Sequence, residues 1–370
     1  MLQILHTIPA LDGGGADRIL YDYCIRMSDV IHFDFIVHTE NQGILEQELQ
    51  NIGCRIFHIQ PLHTNARAYC SNIKNIIKNG KYDIIHVSQG YRGLIMIFYA
   101  KKYGIKVRIA HSHMAYIPES IKEHVVRKIS TFFVKRYATH LFACGKDAAI
   151  WMWGREAYTS GKVHIMTNAI DTERFKYSEE KRDKIRAELR LEDKFVIGNV
   201  ARFSYQKNHE FLIRVFAEVK KIRKDAVLML IGRGELEADI KNQVSVLGLN
   251  DSVIFMGVRN DVSELLNTMD VFVLPSRFEG FGIVYVEAQA NGLSCFGTEE
   301  RVPHEVALTD TIKFLSLKLP AKKWAETICK TSSIRNAFTQ KQIIEASYDI
   351  NMEATKLFLC YKELHDGKNS

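Results

Sequence analysis

Short apolar runs alternate with longer amphipathic stretches along almost the whole chain, and midway the series starts again. The first set of candidate strands lies at residues 3–8, 33–38, 55–59, 83–87, 107–110, 140–143 and 163–166, with helical patterns such as 16–27 and 71–78 between them. Strand–helix alternation leads to right-handed βαβ units and a parallel sheet covered on both faces. Around Asn168-Ala169-Ile170-Asp171 the chain turns polar, and a second series follows at 195–200, 226–231, 253–256, 271–274 and 294–296, with helices at 210–222 and 235–247. The reading is two doubly wound α/β domains, over residues 1–168 and 169–350. The 370 residues suffice for two cores of that size. Ligands of such sheets bind beyond the carboxyl ends of the strands, so two facing sheets point to an interdomain cleft.

Composition excludes several classes. Hydrophobic residues make up 46% and charged residues 25%, ordinary for a globular protein. The seven cysteines are scattered, with no C-x-x-C pair and no zinc-type Cys/His spacing, which fits buried thiols in a reducing cytoplasm. Met1-Leu2-Gln3-Ile4-Leu5 has no basic leader and reads as a first strand, not a signal peptide. No apolar run approaches the ~20 residues of a membrane span. The net charge of +7 suits nucleoside diphosphates, nucleic acid or an anionic membrane, and does not choose among them. Basic residues are dispersed and not interleaved with aromatics, so nucleic acid is not expected.

The most specific motif is Glu279-Gly280-Phe281-Gly282-Ile283-Val284-Tyr285-Val286-Glu287, which follows a strand and Pro275-Ser276. It reads as strand, glycine loop and a helix starting near Ile283. Gly280 and Gly282 let the backbone approach a ligand, and the free N–H groups of the helix start suit a diphosphate. Glu279 at the loop's mouth can hold sugar hydroxyls, and Glu287 one turn on can accept from ribose hydroxyls. A second motif, Ala201-Arg202-Phe203-Ser204-Tyr205-Gln206-Lys207-Asn208, follows the first strand of the second domain. There Arg202 and Lys207 can clamp a diphosphate and neutralise charge as a sugar–phosphate bond breaks.

Two weaker signals sit in the first domain. Asp12-Gly13-Gly14-Gly15-Ala16-Asp17-Arg18 makes a tight strand-to-helix turn and a candidate phosphate or acceptor loop, with Gly13, Gly14, Gly15 and Asp17 as its residues. It lacks the third glycine of a dinucleotide fingerprint and the lysine of a P-loop. In Ile109-Ala110-His111-Ser112-His113, His111 ends a buried strand and His113 follows it, either as structural residues or as groups facing the site. No D-x-D occurs, so the usual carboxylate pair for a metal on a nucleotide sugar is missing and no metal or cofactor is expected.

On these residues the chain resembles the retaining glycosyltransferases of the GT-B fold, in the glycosyl transferases group 1 set, most of all bacterial capsule and exopolysaccharide enzymes. Glu279 and Glu287 match the family's E-x7-E element, Arg202 and Lys207 its R-x4-K element, and His111 its strand-end histidine. The resemblance implies two Rossmann-like domains with the donor, a UDP-sugar by family weight, held mainly by the second. It implies diphosphate contacts from Arg202, Lys207 and the backbone at Phe281, Gly282 and Ile283, ribose contact from Glu287, and sugar contact from Glu279. Val258 and Arg259 would lie near the base, Glu279, Arg202, Lys207 and His111 would be the catalytic set, and a helix at about 351–361 would pack back on the first domain. It departs from the family where G-G-x-E-R is replaced by Gly14-Gly15-Ala16-Asp17-Arg18, since Asp17 is one methylene shorter.

The implied reaction moves a sugar from a nucleoside diphosphate to a saccharide hydroxyl with retention. Both named carboxylates belong to the donor side, so front-face attack is expected and a covalent glycosyl-enzyme is not. A silent nucleotide-sugar-binding subunit, and another enzyme of this architecture such as a nucleotide-sugar epimerase or a phosphorylase, are the competing readings. Residues 119–137 carry Ile121, Val125, Ile129, Phe132 and Phe133 at helical spacing, with His124, Arg127, Lys128 and Lys135 opposite and Lys122 and Arg136 near the ends of the apolar face. The expectation is a helix packed on the sheet by its apolar face with the basic face in solvent. The alternative rests that basic face on anionic lipid at the inner membrane face and delivers a lipid-linked acceptor.

Overall fold

The computed structural model describes residues 1–113, 120–332 and 334–367. The chain forms two compact units, one of Met1–Ile170 with Ser347–Ser370 and the other of Asp171–Ala346. The return to the first unit is made by a short parallel bridge of Ile170 with Asp349, in which Ile350 N donates to Ile170 O at 2.9 Å.

The first unit carries, among the described residues, a seven-stranded parallel sheet of β1 (Leu2–Ile8), β2 (Ile31–Val37), β3 (Arg55–His58), β4 (Ile84–Val87), β5 (Val107–Ser112), β6 (His140–Ala143) and β7 (Val163–Ile165), in the order β3-β2-β1-β4-β5-β6-β7. The second unit carries a six-stranded one of β8 (Phe195–Val200), β9 (Ala226–Ile231), β10 (Val253–Gly257), β11 (Val271–Val273), β12 (Ser294–Thr298) and β13 (Ile312–Leu315), in the order β10-β9-β8-β11-β12-β13. β9 reads Ala-Val-Leu-Met-Leu-Ile and every residue is buried, as a strand covered on both faces requires. The sequence reading passed over β13, whose Ile-Lys-Phe-Leu is half-exposed at the sheet edge and too polar to stand out.

Each sheet has one place where strand order reverses: between β1 and β4, and between β8 and β11. Chain connections leave in opposite directions there, which opens a crevice at the strands' carboxyl ends. β8 and β11 pair only at Ile197 with Val271 and Gly198 with Phe272, and then part. The Asn199 amide spans the parting strands and donates to Val273 O at 2.8 Å. A Cβ at Gly198 would lie 1.8 Å from Met269 Sδ, so this strand position takes no side chain.

Helix Ile121–Tyr137 corrects the sequence expectation. Ser120 caps it by accepting from Glu123 N, while Glu119 lies outside the described residues. The supposed core face points outward: Ile121 is 86% exposed and Phe132 67%, with Val125, Val126, Ile129 and Phe133 also exposed. Two cations of the supposed solvent face turn inward instead. Arg127 donates to Trp151 O at 3.1 Å and lies over the Trp151 ring, and Lys135 donates to Trp153 O. Carbonyls at the end of helix Lys146–Trp153 need donors, and these long side chains supply them from the neighbouring helix.

Candidate active site

The loop after β8 leads through a short 3-10 turn, Tyr205–Lys207, into helix His209–Ile222. Asn208 joins them in the left-handed region at φ 56, where asparagine is tolerated better than most residues. Its amide donates to Pro275 O at 3.0 Å and its side-chain oxygen accepts from Arg277 at 2.6 Å. The loop after β8 is thus tied to the loop after β11 on both sides of the crevice.

That tie delivers Lys207 to Glu279. The ammonium lies 2.8 Å from both carboxylate oxygens, with the Glu279 side chain 3% exposed. Ser276 Oγ donates to the same carboxylate at 2.5 Å and Gln206 Nε2 at 3.3 Å. A buried carboxylate persists only with such partners. Ser276, Gln206 and Asn208 escaped sequence reading. The i, i+3 spacing of Ser276 and Glu279 is the one local signal that could have found Ser276.

Glu279 N donates to Arg301 O, and the chain then passes Gly280 and Phe281 to Gly282 at φ 89. A Cβ on Gly282 would stand 2.9 Å from the Tyr285 ring, so glycine is required here on both backbone and steric grounds. Helix Ile283–Ala290 starts at once, and no side chain among the described residues caps it. N–H groups at such a helix start are the kind of donors that can receive an anion, and here they lie beside the Lys207–Glu279 pair. Glu287 is half-buried, one turn into the helix. Tyr285 locks the helix to the sheet by donating to Leu274 O at 2.5 Å.

Not every sequence-predicted residue joins this cluster. Arg202 is exposed at the end of β8 and pairs with Glu235 at 3.2 Å. Val258 is 62% exposed just beyond β10, and Arg259 is engaged by Asp261 through two contacts of 2.6 and 2.8 Å.

In the first unit the glycine loop follows β1. Gly13 has φ 79, Gly14 is extended and precedes helix Gly15–Met27, and all three glycines are exposed. Asp17 sits half-buried in the first helical turn, and burial, reinforced by the Asp12 charge, raises its carboxyl to about 7. His111 is the penultimate residue of β5 and is 1% exposed. Its Nδ1 lies 2.9 Å from His86 Nε2, and its ring stacks on His113 at 4.0 Å. Burial, with the neighbouring imidazoles, holds His111 well below the usual histidine range, and burial holds His113 at about 4.

Comparison with known proteins agrees with this layout. The model for glycosyl transferases group 1 matches residues 181–348, and that for glycosyltransferase family 4 matches residues 13–174. The chain is 29% identical over 368 residues to the protein named as glycosyltransferase EpsF of Bacillus subtilis, covering 97% of this chain and 96% of the relative. It is 30% identical over 282 residues to the UDP-Gal:alpha-D-GlcNAc-diphosphoundecaprenol alpha-1,3-galactosyltransferase of Escherichia coli, covering 71% and 70% of the two chains. Anabaena HepE, solved in complex with UDP, superposes with a TM-score of 0.79 at 19% identity, covering 98% of this chain and 100% of that one. Sucrose-phosphate synthase from Thermosynechococcus elongatus gives 0.80 at 17% identity, over 99% and 100%. The two parallel-sheet units are those of the GT-B glycosyltransferases. The chain belongs to the glycosyl transferases group 1 family.

Proposed function

We propose that this transferase moves a sugar from a UDP-sugar to a saccharide hydroxyl with retention of configuration, in the assembly of a cell-surface polysaccharide such as capsule or exopolysaccharide. The observation that carries the reading is the Lys207–Glu279 pair at the reversal point of the second sheet, beside an uncapped helix start. The helix N–H groups at Phe281, Gly282 and Ile283, with Lys207 and Arg202, take the diphosphate and stabilise the charge that grows on it. Glu287 accepts from the ribose hydroxyls, Glu279 from the transferred sugar, and Val258 with Arg259 borders the base. The leaving phosphate oxygen takes the acceptor's proton on the same face that the acceptor attacks. The loop of Gly13, Gly14, Gly15 and Asp17 meets the acceptor. No metal is given a role, because cations and helix N–H groups supply the charge a metal would.

The acceptor is proposed to be lipid-linked and met at the inner membrane face. The name of the Escherichia coli relative includes a diphosphoundecaprenol. Among the described residues no helix is long and apolar enough to cross a membrane. The outward row of Ile121, Val125, Ile129 and Phe132, with Lys122 and Arg136 near its ends, suits a helix lying in an anionic interface.

Thermal shift against a panel of nucleotide sugars tests the donor. A ligand at 100 times its dissociation constant adds about 2.7 kcal/mol of stability, so UDP-sugars should raise Tm and Glu287→Ala should abolish most of the rise. A panel without a stabilising UDP compound overturns the donor class, and an inverted product anomer by NMR overturns retention.

A further inference from the structure

The turn that carries Lys207 is short and does little to fix itself. Lys207 N donates to Ser204 O at 3.1 Å, Tyr205 is 67% exposed, and Asn208 closes the turn in the left-handed region. A lysine ammonium rides on a flexible four-carbon stem, so on a loose turn it would sample many positions. Here it is nonetheless set against both carboxylate oxygens of Glu279.

Arg277, two residues before Glu279 in the loop after β11, binds this turn on both sides of Lys207. Its backbone N–H donates to Gln206 O at 2.8 Å. Its Nη1 donates to Tyr205 O at 3.1 Å and to Asn208 Oδ1 at 2.6 Å. The guanidinium also lies 4.3 Å from the centre of the Tyr205 ring and pairs with Glu210 at 3.7 Å. Gln206 Nε2 donates back to Phe278 O at 3.1 Å. The residues before and after Lys207 are therefore bound to the short segment that presents Glu279, and Lys207 itself is left to reach the carboxylate. The planar arginine fork can donate to a carbonyl and an amide oxygen while its face rests on a ring, which an ammonium cannot do.

We propose that Arg277 is a positioning residue for sugar transfer: it references the Lys207 turn to the backbone that carries Glu279, and so fixes the ammonium and the carboxylate as one preset unit for the donor. This rests on the transferase reading above. Misplacing an aligned group by about 1 Å can cost about 100-fold in rate, so a turn held by contacts of this kind matters for turnover as well as for folding.

The test measures the Lys207–Glu279 coupling and turnover in the full chain. Urea denaturation of Lys207→Met, Glu279→Gln and the double variant gives the coupling, and the same set is repeated with Arg277→Met. The coupling should fall by more than half when Arg277 is lost. A residue that merely stabilises the fold would lower every midpoint and leave the coupling unchanged, and that result overturns the proposal. Turnover is read as UDP release from the UDP-sugar that stabilises the protein most. Arg277→Met should lower kcat about tenfold at nearly unchanged donor KM, and should have no further effect once Lys207 is Met. Equal falls in both backgrounds overturn the proposal, because Arg277 would then act by a route other than Lys207. Arg277→Lys keeps a cation without the fork and should stay at least threefold below wild type, whereas full recovery would assign Arg277 a charge effect in place of positioning. Should Arg277→Met fail to fold, Arg277→Lys carries the same two measurements. A wild type that releases no UDP from any UDP-sugar sinks the transferase reading, and the coupling in urea then decides by itself whether Arg277 sets Lys207 on Glu279.

Discussion

Lys207 reaches across the reversal point of the second sheet and sets its ammonium 2.8 Å from each carboxylate oxygen of Glu279. A cation from the loop after β8 thereby neutralises an anion from the loop after β11, where the two strands part. Lys207→Met leaves Glu279 buried with neutral donors only, and should cost about 3 kcal/mol, the low end for a broken buried pair because Lys207 keeps some exposure. Adding Glu279→Gln should recover a large part. Urea denaturation of both single variants and the double variant measures this coupling, and additive losses would show that the two charges do not depend on each other.

Arg202 should separate catalysis from stability. Its pair with Glu235 is exposed on both sides, and such pairs contribute about 0–1 kcal/mol. Arg202→Ala is expected to leave Tm almost unchanged while lowering kcat by about 10²–10³, the scale of a lost transition-state donor. A raised KM with normal kcat would mean uniform binding of ground and transition states, and would remove the proposed role.

Asp17 predicts a pH dependence of known sign. Its carboxyl is raised from 3.8 to about 7 in the folded chain, burial being the larger cause and the Asp12 charge the next. Between those values the folded chain holds a proton that the unfolded chain has lost, so this group's contribution to stability falls as pH rises through the window. Asp17→Asn should remove that slope and gain on the wild type from pH 4 to pH 8, by roughly the amount the raised pKa implies. Parallel stability curves for the two proteins would show that Asp17 titrates normally.

The outward face of helix Ile121–Tyr137 should bind liposomes through its apolar row. Ile129→Ser with Phe132→Ser is expected to abolish co-sedimentation with anionic vesicles at unchanged Tm, because both side chains are exposed. Arg127→Ala, by contrast, should lower Tm and leave vesicle binding intact, since it removes a donor to Trp151 O. Equal sedimentation of wild type and the double serine variant would leave the row without a lipid role.

Much of this protein is determined locally. Each strand of β8, β9 and β11 is a short run too apolar to sit anywhere but inside a covered parallel sheet, so the two-sheet plan follows from order along the chain. The turns at Gly282 and Gly13 are likewise legible, because positive φ and crowded neighbours demand glycine. Glu279 and Lys207 could each be named, in separate motifs, from their positions after strands, but their pairing with one another could not. Their contact with Ser276 and Gln206 could not, since it depends on how closely two loops converge.

The helix at 121–137 marks the limit. Periodicity there defines an apolar stripe but says nothing about which side the rest of the chain covers. The carbonyls of Trp151 and Trp153, not the stripe, decide how the helix is turned. The same holds for Tyr361 and His86, which are 275 residues apart and meet only when the C-terminal helix returns to the first unit. Composition and periodicity act over a few residues, so they set the elements and their loops. The pairing of buried donors with acceptors across those elements is settled by desolvation, whose cost appears only once the sheets and helices have closed around them.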